Sequence, residues 1–252
     1  MAFPDDDRLA RDLAVAAGEH LLKLRVSGSA ADELRRAGDL GSQEYLDREL
    51  SRLRPGDAVL SEEAIDNPAR LAADRVWIID PLDGTREFGE EGRVDWAVHV
   101  ALWERGDLTA GAVALPAQDA VLSTAEPPPS PPPATPGAPL RLVVSRSRPP
   151  EFVQRLAGEI GAELVPLGSA GAKAAAVITG EVDAYVHSGG QYEWDSAAPV
   201  AVARAAGLHT SRIDGSDLSY NSEQPWMPDI LICPVPLAGQ LLDAISAVQQ
   251  RQ

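Results

Sequence analysis

A run of prolines near the middle of the chain restricts its folding most. Residues 127–139 read PPPSPPPATPGAP, with eight prolines in thirteen residues. Proline lacks a backbone N–H and holds φ at about −65°, so this run cannot continue a helix or a central strand and favours extended backbone. The sequence predicts an exposed connector between an N-terminal half, residues 1–126, and a C-terminal half, residues 140–252. A ligand for a proline-binding domain is the alternative.

Both halves mix helical and strand-like patterns. Apolar residues recur at helical spacing from Leu9 to Leu24, and again at Leu46, Leu50 and Leu53. Short apolar runs indicate strands at 58–60, 76–79, 96–103, 108–115, 142–144, 164–167, 182–186 and 229–233. Helical patterns occupy 151–160, 171–179, 195–206 and 237–249, and Gly180 and Gly207 stand where helix-ending glycines are expected. The sequence thus predicts a mixed α and β protein of layered sheets and helices.

Charge and cysteine content argue against several classes of protein. The 252 residues carry 22 Lys+Arg against 38 Asp+Glu, a formal net charge of −16, which disfavours binding of a nucleic-acid polymer. A single cysteine, Cys233, permits no internal disulfide and is typical of a reducing compartment such as the cytoplasm. No apolar run reaches the roughly 18–20 residues of a membrane helix. The acidic start MAFPDDDRLA predicts no secretion signal.

The string WIIDPLDGTREF, residues 77–88, carries the clearest chemical signal. A buried strand delivers Asp80 and Asp83 at its end, and Pro81 fixes the backbone between them so that both carboxylates can converge. Carboxylate and carbonyl oxygens suit a hard cation such as magnesium. Gly84 and Thr85 follow, with N–H groups able to cradle an anion. An ordinary turn at the end of a strand is the alternative.

Further acidic residues strengthen the metal interpretation. Glu62 and Glu63 follow the strand at 58–60, Asp39 lies in a predicted glycine-flanked loop, AGDLG, and Asp195 begins a helical segment in EWDSAAP. Singly, these residues fit a solvated face, a turn and a helix cap. Together they predict a cluster whose mutual repulsion needs cations. We therefore expect Asp83→Asn to abolish activity and to leave the fold intact or more stable.

The motifs SEE, DPLDGTREF and WDSAAP resemble those of the magnesium-dependent, lithium-sensitive phosphatases of the inositol monophosphatase superfamily. Arg86 and the pair Glu87-Phe88 look like the CysQ branch, the 3'(2'),5'-bisphosphate nucleotidases. The resemblance implies an α/β/α/β/α sandwich and removal of the 3'-phosphate of adenosine 3',5'-bisphosphate, a by-product of sulfate assimilation, by metal-activated water. Inositol 1-phosphate and fructose 1,6-bisphosphate are alternative substrates. A non-catalytic metal-binding or nucleotide-binding protein is a third hypothesis.

The resemblance also assigns roles to residues. It implies a first magnesium ion at Glu62, Asp80 and the Leu82 carbonyl, a second at Asp80, Asp83 and Asp195, and room for a third at Glu62. Thr85, with Asp39 or Glu62, would deprotonate the attacking water, and the N–H groups of Gly84 and Thr85 would hold the phosphate. The substrate contacts expected are Arg86, Arg146, Ser169, Lys173 and Glu193. The partners implied are a small phosphorylated substrate and a second copy of the chain in a homodimer.

Some positions depart from the family pattern or keep a structural alternative. The stretch RRAGD lacks the threonine that usually precedes the acidic residue matched by Asp39, and Lys173 stands one residue further on than expected. Ser169 and Lys173 also fit a helix cap and a solvated lysine. Arg146 and Arg148 follow a strand, where they could meet a second phosphate or form a solvated basic loop. His99, inside an apolar strand, is interpreted as a packed residue.

Overall fold

The structure, a computed structural model, describes residues 5–26 and 30–251. The first half of the chain forms α1 (Asp6–Arg25), α2 (Ala31–Leu53), β1 (Ala58–Ser61), β2 (Arg75–Asp83), α3 (Thr85–Phe88), β3 (Ala97–Glu104), β4 (Asp107–Leu115) and β5 (Ala120–Ser123). The second forms β6 (Arg141–Ser145), α4 (Glu151–Ile160), β7 (Glu163–Leu167), α5 (Ala170–Ile178), β8 (Ala184–Tyr192), α6 (Glu193–Ala205), β9 (Leu208–Ser211), β10 (Trp226–Pro234) and α7 (Val235–Gln249). Within these ranges, no helix combines the length and apolar character needed to cross a membrane.

The strands of the described residues form two sheets of mixed direction. The first has the order β1-β2-β3-β4-β5, and the second has the order β7-β6-β8-β10-β9. In the first sheet β1 and β2 run parallel and the remaining pairs antiparallel. In the second, β6 is parallel to both β7 and β8, while β10 is antiparallel to β8 and β9. The edge strands β5 and β9 are four residues long and were not indicated by the sequence pattern.

The alternation of side chains along β2 explains the layers. Trp77 and Ile79 point to one face, where they join the apolar cluster that contains α1 and α2. Val76 and Ile78 point to the other face, into the central cluster built with α5, α6 and the inner face of the second sheet. A third cluster buries the outer face of the second sheet under α4 and α7. The predicted α/β/α/β/α sandwich is therefore confirmed.

The proline-rich segment runs along the ends of the two central helices. Residues 127–139 contain no helix or strand and are mostly exposed, as predicted. Ser130 donates a hydrogen bond to the Ala206 carbonyl at 2.8 Å, and Pro132 lies against Gly180. Gly180 and Gly207 adopt the positive φ expected of residues that end helices. The division of the chain into two halves at this segment stays a prediction.

The loop predicted around Asp39 is wrong, because Asp39 lies inside helix α2. The flanking glycines were interpreted as loop formers, but they serve close packing. A Cβ on Gly38 would lie 2.7 Å from the Phe88 ring and 2.9 Å from Leu82. A Cβ on Gly41 would lie 2.7 Å from the His20 ring of α1. The two glycines let α2 approach the end of β2 and α1, which brings Asp39 to the site.

Candidate metal centre and active site

Three carboxylates from two elements meet at the end of the first sheet. Asp80 and Asp83 lie at the C-terminal end of strand β2, and Asp195 lies in the first turn of helix α6. One oxygen from each side chain lies within 4.8 Å of the other two. All ligand atoms are hard oxygens, and the aspartates of β2 are buried. Such a donor set fits a divalent cation such as magnesium.

A β-bulge turns the two aspartates of β2 toward each other. Asp80 pairs with His99 and Asp83 pairs with Ala97, so β2 contains one residue more than β3 over this interval. In a regular strand, residues three apart point to opposite faces, and one extra residue returns them to the same face. Ser42 of α2 donates a hydrogen bond to the Pro81 carbonyl at 2.7 Å, and the Leu82 N–H donates to Asp80 at 3.1 Å. These bonds hold the bulge in place.

Asp83 is held by donors from the start of α5. Its carboxylate accepts hydrogen bonds from the Ser169 hydroxyl at 2.5 Å and from the N–H groups of Gly171 at 2.6 Å and Ala170 at 3.1 Å. Nε2 of His99 lies 3.2 Å away. Burial favours the neutral acid, but His99 and these bonds outweigh it and hold the pKa of Asp83 well below its usual range. Asp83 is therefore ionised and oriented at neutral pH.

His99 is a site residue that sequence reasoning missed. Its side chain is buried in β3, as the apolar pattern indicated, but the imidazole contacts Asp83 on one side and the Trp194 carbonyl at 3.0 Å on the other. Burial opposes the charged ring, and the Asp83 carboxylate outweighs burial, so the pKa of His99 is raised. Position 99 pairs with Asp80 across β2 and β3, and this pairing is visible only in the structure.

The remaining carboxylates repel one another. Burial and the neighbouring Asp83 raise the pKa of Asp195 to about 6, although the Tyr192 N–H donates to it at 2.6 Å. Burial and three carboxylate neighbours raise the pKa of Asp80 well above its usual value. Glu62 follows β1 beside Asp80; part of its side chain is open to solvent, but desolvation of its carboxyl group by the surrounding protein, together with the charges of Asp195 and Asp83, raises its pKa to about 7. A bound cation would relieve this repulsion.

Thr85 and Asp39 form a second group beside the aspartates. The Thr85 hydroxyl lies 3.2 Å from Asp39 and 3.1 Å from the Leu82 carbonyl, both of which are acceptors. Burial and the charge of Glu63 raise the pKa of Asp39 to about 6. Gly84 adopts φ +87°, and a Cβ there would crowd Ser169 and the Asp95 carbonyl. Glycine is therefore required at this tight turn.

Comparison with known proteins agrees with this geometry. The profile of the inositol monophosphatase family matches residues 8–249. The chain belongs to this family. A curated relative named 3'-phosphoadenosine 5'-phosphate phosphatase, from Mycobacterium leprae, is 50% identical, and the alignment covers 97% of this chain and 95% of the relative.

Solved structures of the family have the same fold. Inositol monophosphatase II from Staphylococcus aureus superposes with a TM-score of 0.80 at 20% identity, over 96% of this chain and 98% of that chain. CysQ from Bacteroides thetaiotaomicron superposes with a TM-score of 0.76 at 25% identity, over 92% of this chain and 98% of that chain. Proteins of this family are metal-dependent phosphatases, and the aspartate cluster is where this chain can bind metal.

A cleft of about 480 Å³ opens beside the aspartates of this family member. Asp83, Asp195 and Gly84 line it, together with three basic residues, Arg86, Lys173 and Arg148. Lys173 is buried, which lowers its pKa, and its ammonium group donates to the carbonyls of Gly168 and Ser169. Within the described residues, neither Arg86 nor Arg148 has an acidic partner. The cleft can therefore receive a phosphorylated ligand despite the acidic composition.

Two residues that were predicted to contact the substrate, Arg146 and Glu193, bind other residues of the chain instead. The Arg146 guanidinium donates to Glu87 at 2.7 Å and to Glu90 at 3.0 Å, and it does not line the cleft. The Glu193 carboxylate accepts from the N–H groups of Asn221 and Ser222 at 2.6 and 2.9 Å and also lies outside the cleft lining. Ser169 lines the cleft, and its hydroxyl is engaged with Asp83. Arg148, two residues further along the chain than Arg146, lines the cleft instead of Arg146.

Proposed function

We propose that this chain hydrolyses the 3'-phosphate of adenosine 3',5'-bisphosphate to give AMP and inorganic phosphate. The observation that supports it most is the convergence of Asp80, Asp83 and Asp195 beside the Thr85–Asp39 pair. The name of the Mycobacterium leprae relative supports the choice of substrate. Inositol 1-phosphate and fructose 1,6-bisphosphate are alternative substrates for the same carboxylates, and a non-catalytic binding protein is the third hypothesis.

We propose that the acidic cluster holds two magnesium ions. Glu62, Asp80 and the Leu82 carbonyl would bind one, and Asp80, Asp83 and Asp195 would bind the other, with Glu62 able to contact a third. The mutual repulsion of these carboxylates in the free protein supports occupation by cations. When bound, the ions supply positive charge at the phosphate and make water more acidic.

In the proposed reaction, Thr85 and Asp39 orient and deprotonate the attacking water. The Thr85 hydroxyl lies between two acceptors, so its hydrogen is directed to Asp39 or Leu82 and an oxygen lone pair is left for the water. Asp39, with a pKa of about 6, can take a proton near neutral pH. The water oxygen bonds to phosphorus, the bond between phosphorus and the 3'-oxygen breaks, and that oxygen takes a proton from solvent water, while Asp39 returns the proton it accepted to solvent. No phosphoenzyme intermediate is expected.

Cationic residues and N–H groups would bind the phosphates of the substrate. We assign the transferred phosphate to the N–H groups of Gly84 and Thr85, next to Asp83 and Arg86. We assign the second phosphate to Arg148, because Arg146 is held by Glu87 and Glu90. A guanidinium group binds phosphate oxygens in pairs, which suits this role.

Phosphate release tests the proposal. The purified protein is assayed with adenosine 3',5'-bisphosphate, inositol 1-phosphate and fructose 1,6-bisphosphate, with and without magnesium. We expect magnesium-dependent turnover with a clear preference for the nucleotide. Asp195→Asn should remove activity, whereas Asp107→Asn, at an exposed aspartate that does not line the cleft, should retain it. Equal rates on the three compounds would contradict the nucleotidase assignment, and no turnover on any would favour a binding protein.

We also propose a cytoplasmic location and a homodimeric state. The single cysteine, Cys233, supports a reducing compartment, and burial raises its thiol pKa to about 12, so it is inert at neutral pH. Light scattering of the purified chain measures the oligomeric state directly. A monomer at assay concentrations would contradict the proposed dimer without affecting the reaction.

A further inference from the structure

Two aromatic side chains stand exposed in the cleft. Trp226 begins β10 and Tyr192 ends β8, and the two residues are paired across the antiparallel ladder, so their side chains emerge from the same face of the sheet. Trp226 is 53% exposed and Tyr192 is 47% exposed, although both line the same cleft as Asp83 and Asp195. Large aromatic groups left open to solvent inside a cleft indicate a ligand surface.

The indole of Trp226 packs directly against Gly190. A Cβ at Gly190 would lie 2.5 Å from Nε1 and 2.7 Å from Cζ2 of Trp226, so the ring rests directly on the Gly190 backbone. Gly190 has φ +94°, which L side chains rarely adopt. Tyr192 is fixed as well, since its ring stacks on Trp194 at 4.6 Å with an interplanar angle of 9°. Both rings are therefore held in place before any ligand arrives.

This aromatic pair lies next to the metal centre. The Tyr192 N–H donates to the Asp195 carboxylate at 2.6 Å. Trp226 is the partner of Tyr192 on the adjacent strand, about 4.8 Å away at the backbone. A ligand whose reacting phosphate lies at Gly84, next to Asp83, therefore occupies the same cleft as the indole.

We propose that Trp226, seated on Gly190, is the platform on which the purine base of the substrate stacks. The inference rests on the nucleotidase function proposed above. It identifies the Trp226 indole as the side chain that distinguishes nucleotides from other phosphate esters. An exposed indole gains from a flat π surface, and a purine has one. Inositol and fructose phosphates have no such surface. The platform therefore gives this cleft its preference for a nucleotide.

Steady-state kinetics of Trp226 variants test the platform. With adenosine 3',5'-bisphosphate, Trp226→Ala should raise KM about tenfold and change kcat little, since stacking acts on the bound base and not on the reacting phosphate. With ribose 3,5-bisphosphate, which lacks the base, the same variant should match the unmodified protein. Trp226→Phe should keep most of the affinity. Val235→Ala, at an exposed position outside the cleft lining, is the matched control.

Calorimetric titration with AMP separates this inference from the proposed reaction. If the unmodified protein does not hydrolyse the bisphosphate, AMP binding still measures the platform, and Trp226→Ala should weaken it about tenfold. Gly190→Ala should weaken AMP binding by displacing the indole and should add little in a Trp226→Ala background. Equal AMP affinity in all variants would overturn the inference. So would a Trp226→Ala protein that binds AMP normally but loses a subunit contact in light scattering.

Discussion

Nε2 of His99 lies 3.2 Å from Oδ2 of Asp83, and the other ring nitrogen lies 3.0 Å from the carbonyl of Trp194, the residue before Asp195. One imidazole from β3 therefore contacts a proposed metal ligand and the neighbour of another. Gly171 permits this position, because a Cβ there would lie 2.1 Å from Nε2. The ring sets the distance between the end of β2 and the start of α6.

His99→Leu should weaken metal binding and leave the fold assembled. Partners that orient a metal ligand typically contribute about 10–100-fold in metal affinity or activity. We expect the magnesium concentration for half-maximal phosphate release to rise by that order, while His99→Gln, which keeps a polar group, stays closer to the unmodified protein. A magnesium titration of activity measures this. Identical titration curves for both variants and the unmodified protein would show that His99 only packs.

Asp83→Asn should abolish activity and also destabilise the metal-free protein. The sequence suggested the opposite effect on stability, because crowded carboxylates repel. The ionised Asp83 instead accepts hydrogen bonds from Ser169 and Gly171 and forms an ion pair with His99, and the loss of hydrogen bonds to a buried charged group costs about 1–3 kcal/mol. Asp80→Asn, at a carboxyl group whose pKa is raised, should stabilise the metal-free protein. Urea unfolding of both variants without metal measures the change in their free energy of unfolding. A change in the same direction for both variants would contradict this account.

Gly38→Ala should lower both stability and activity. The added Cβ would lie 2.7 Å from the Phe88 ring and 2.9 Å from Leu82, and such overpacking costs about 1–3 kcal/mol. It would also push α2 and Asp39 away from Thr85. Gly158→Ala in α4 is a matched control, since its Cβ meets no atom within 4 Å and alanine favours a helix by about 0.5–1 kcal/mol. Thermal unfolding and phosphate release measure both effects. An unchanged Gly38→Ala protein would contradict the packing role.

Local periodicity predicted a mixed α and β protein and most element positions, residue type drew attention to the acidic residues, and the α/β/α/β/α layers were implied by the family resemblance. The sequence did not predict that Asp39 lies in a helix. Glycines beside an aspartate are found both in loops and in helices that pack closely against a neighbour, so the local sequence does not distinguish the two. It also missed the contact of His99 with Asp83, which depends on a bulge and on strand pairing. Those features arise from contacts between distant segments, which one sequence does not display.

Arg148→Ala and Arg146→Ala should have different effects. Arg148 lines the cleft, so its loss should raise KM for the bisphosphate about tenfold and spare inositol 1-phosphate, which has no second phosphate. Arg146 is bound by Glu87, which is buried, so its loss leaves a buried charge unpaired and should mainly lower stability. Kinetics on both substrates and thermal unfolding distinguish the two. If Arg146→Ala raised KM selectively with normal stability, the original assignment of Arg146 to the substrate would hold.

The metal-free protein should lose stability as pH rises from about 5 to 8. The folded-state pKa values of Asp39 and Asp195 are about 6 and that of Glu62 is about 7, all above their ordinary values, so the folded chain binds more protons than the unfolded chain in this range. Stability then falls as pH rises through those values. The depressed pKa of Asp83 adds stability that is already complete above its ordinary value, so it does not alter the slope.

Saturating magnesium, which replaces the protons, should flatten the dependence of stability on pH, and Asp195→Asn should reduce that dependence. Thermal unfolding at several pH values, with and without magnesium, measures this, and metal-free stability that rises over the range would contradict the repulsion inferred among these carboxylates.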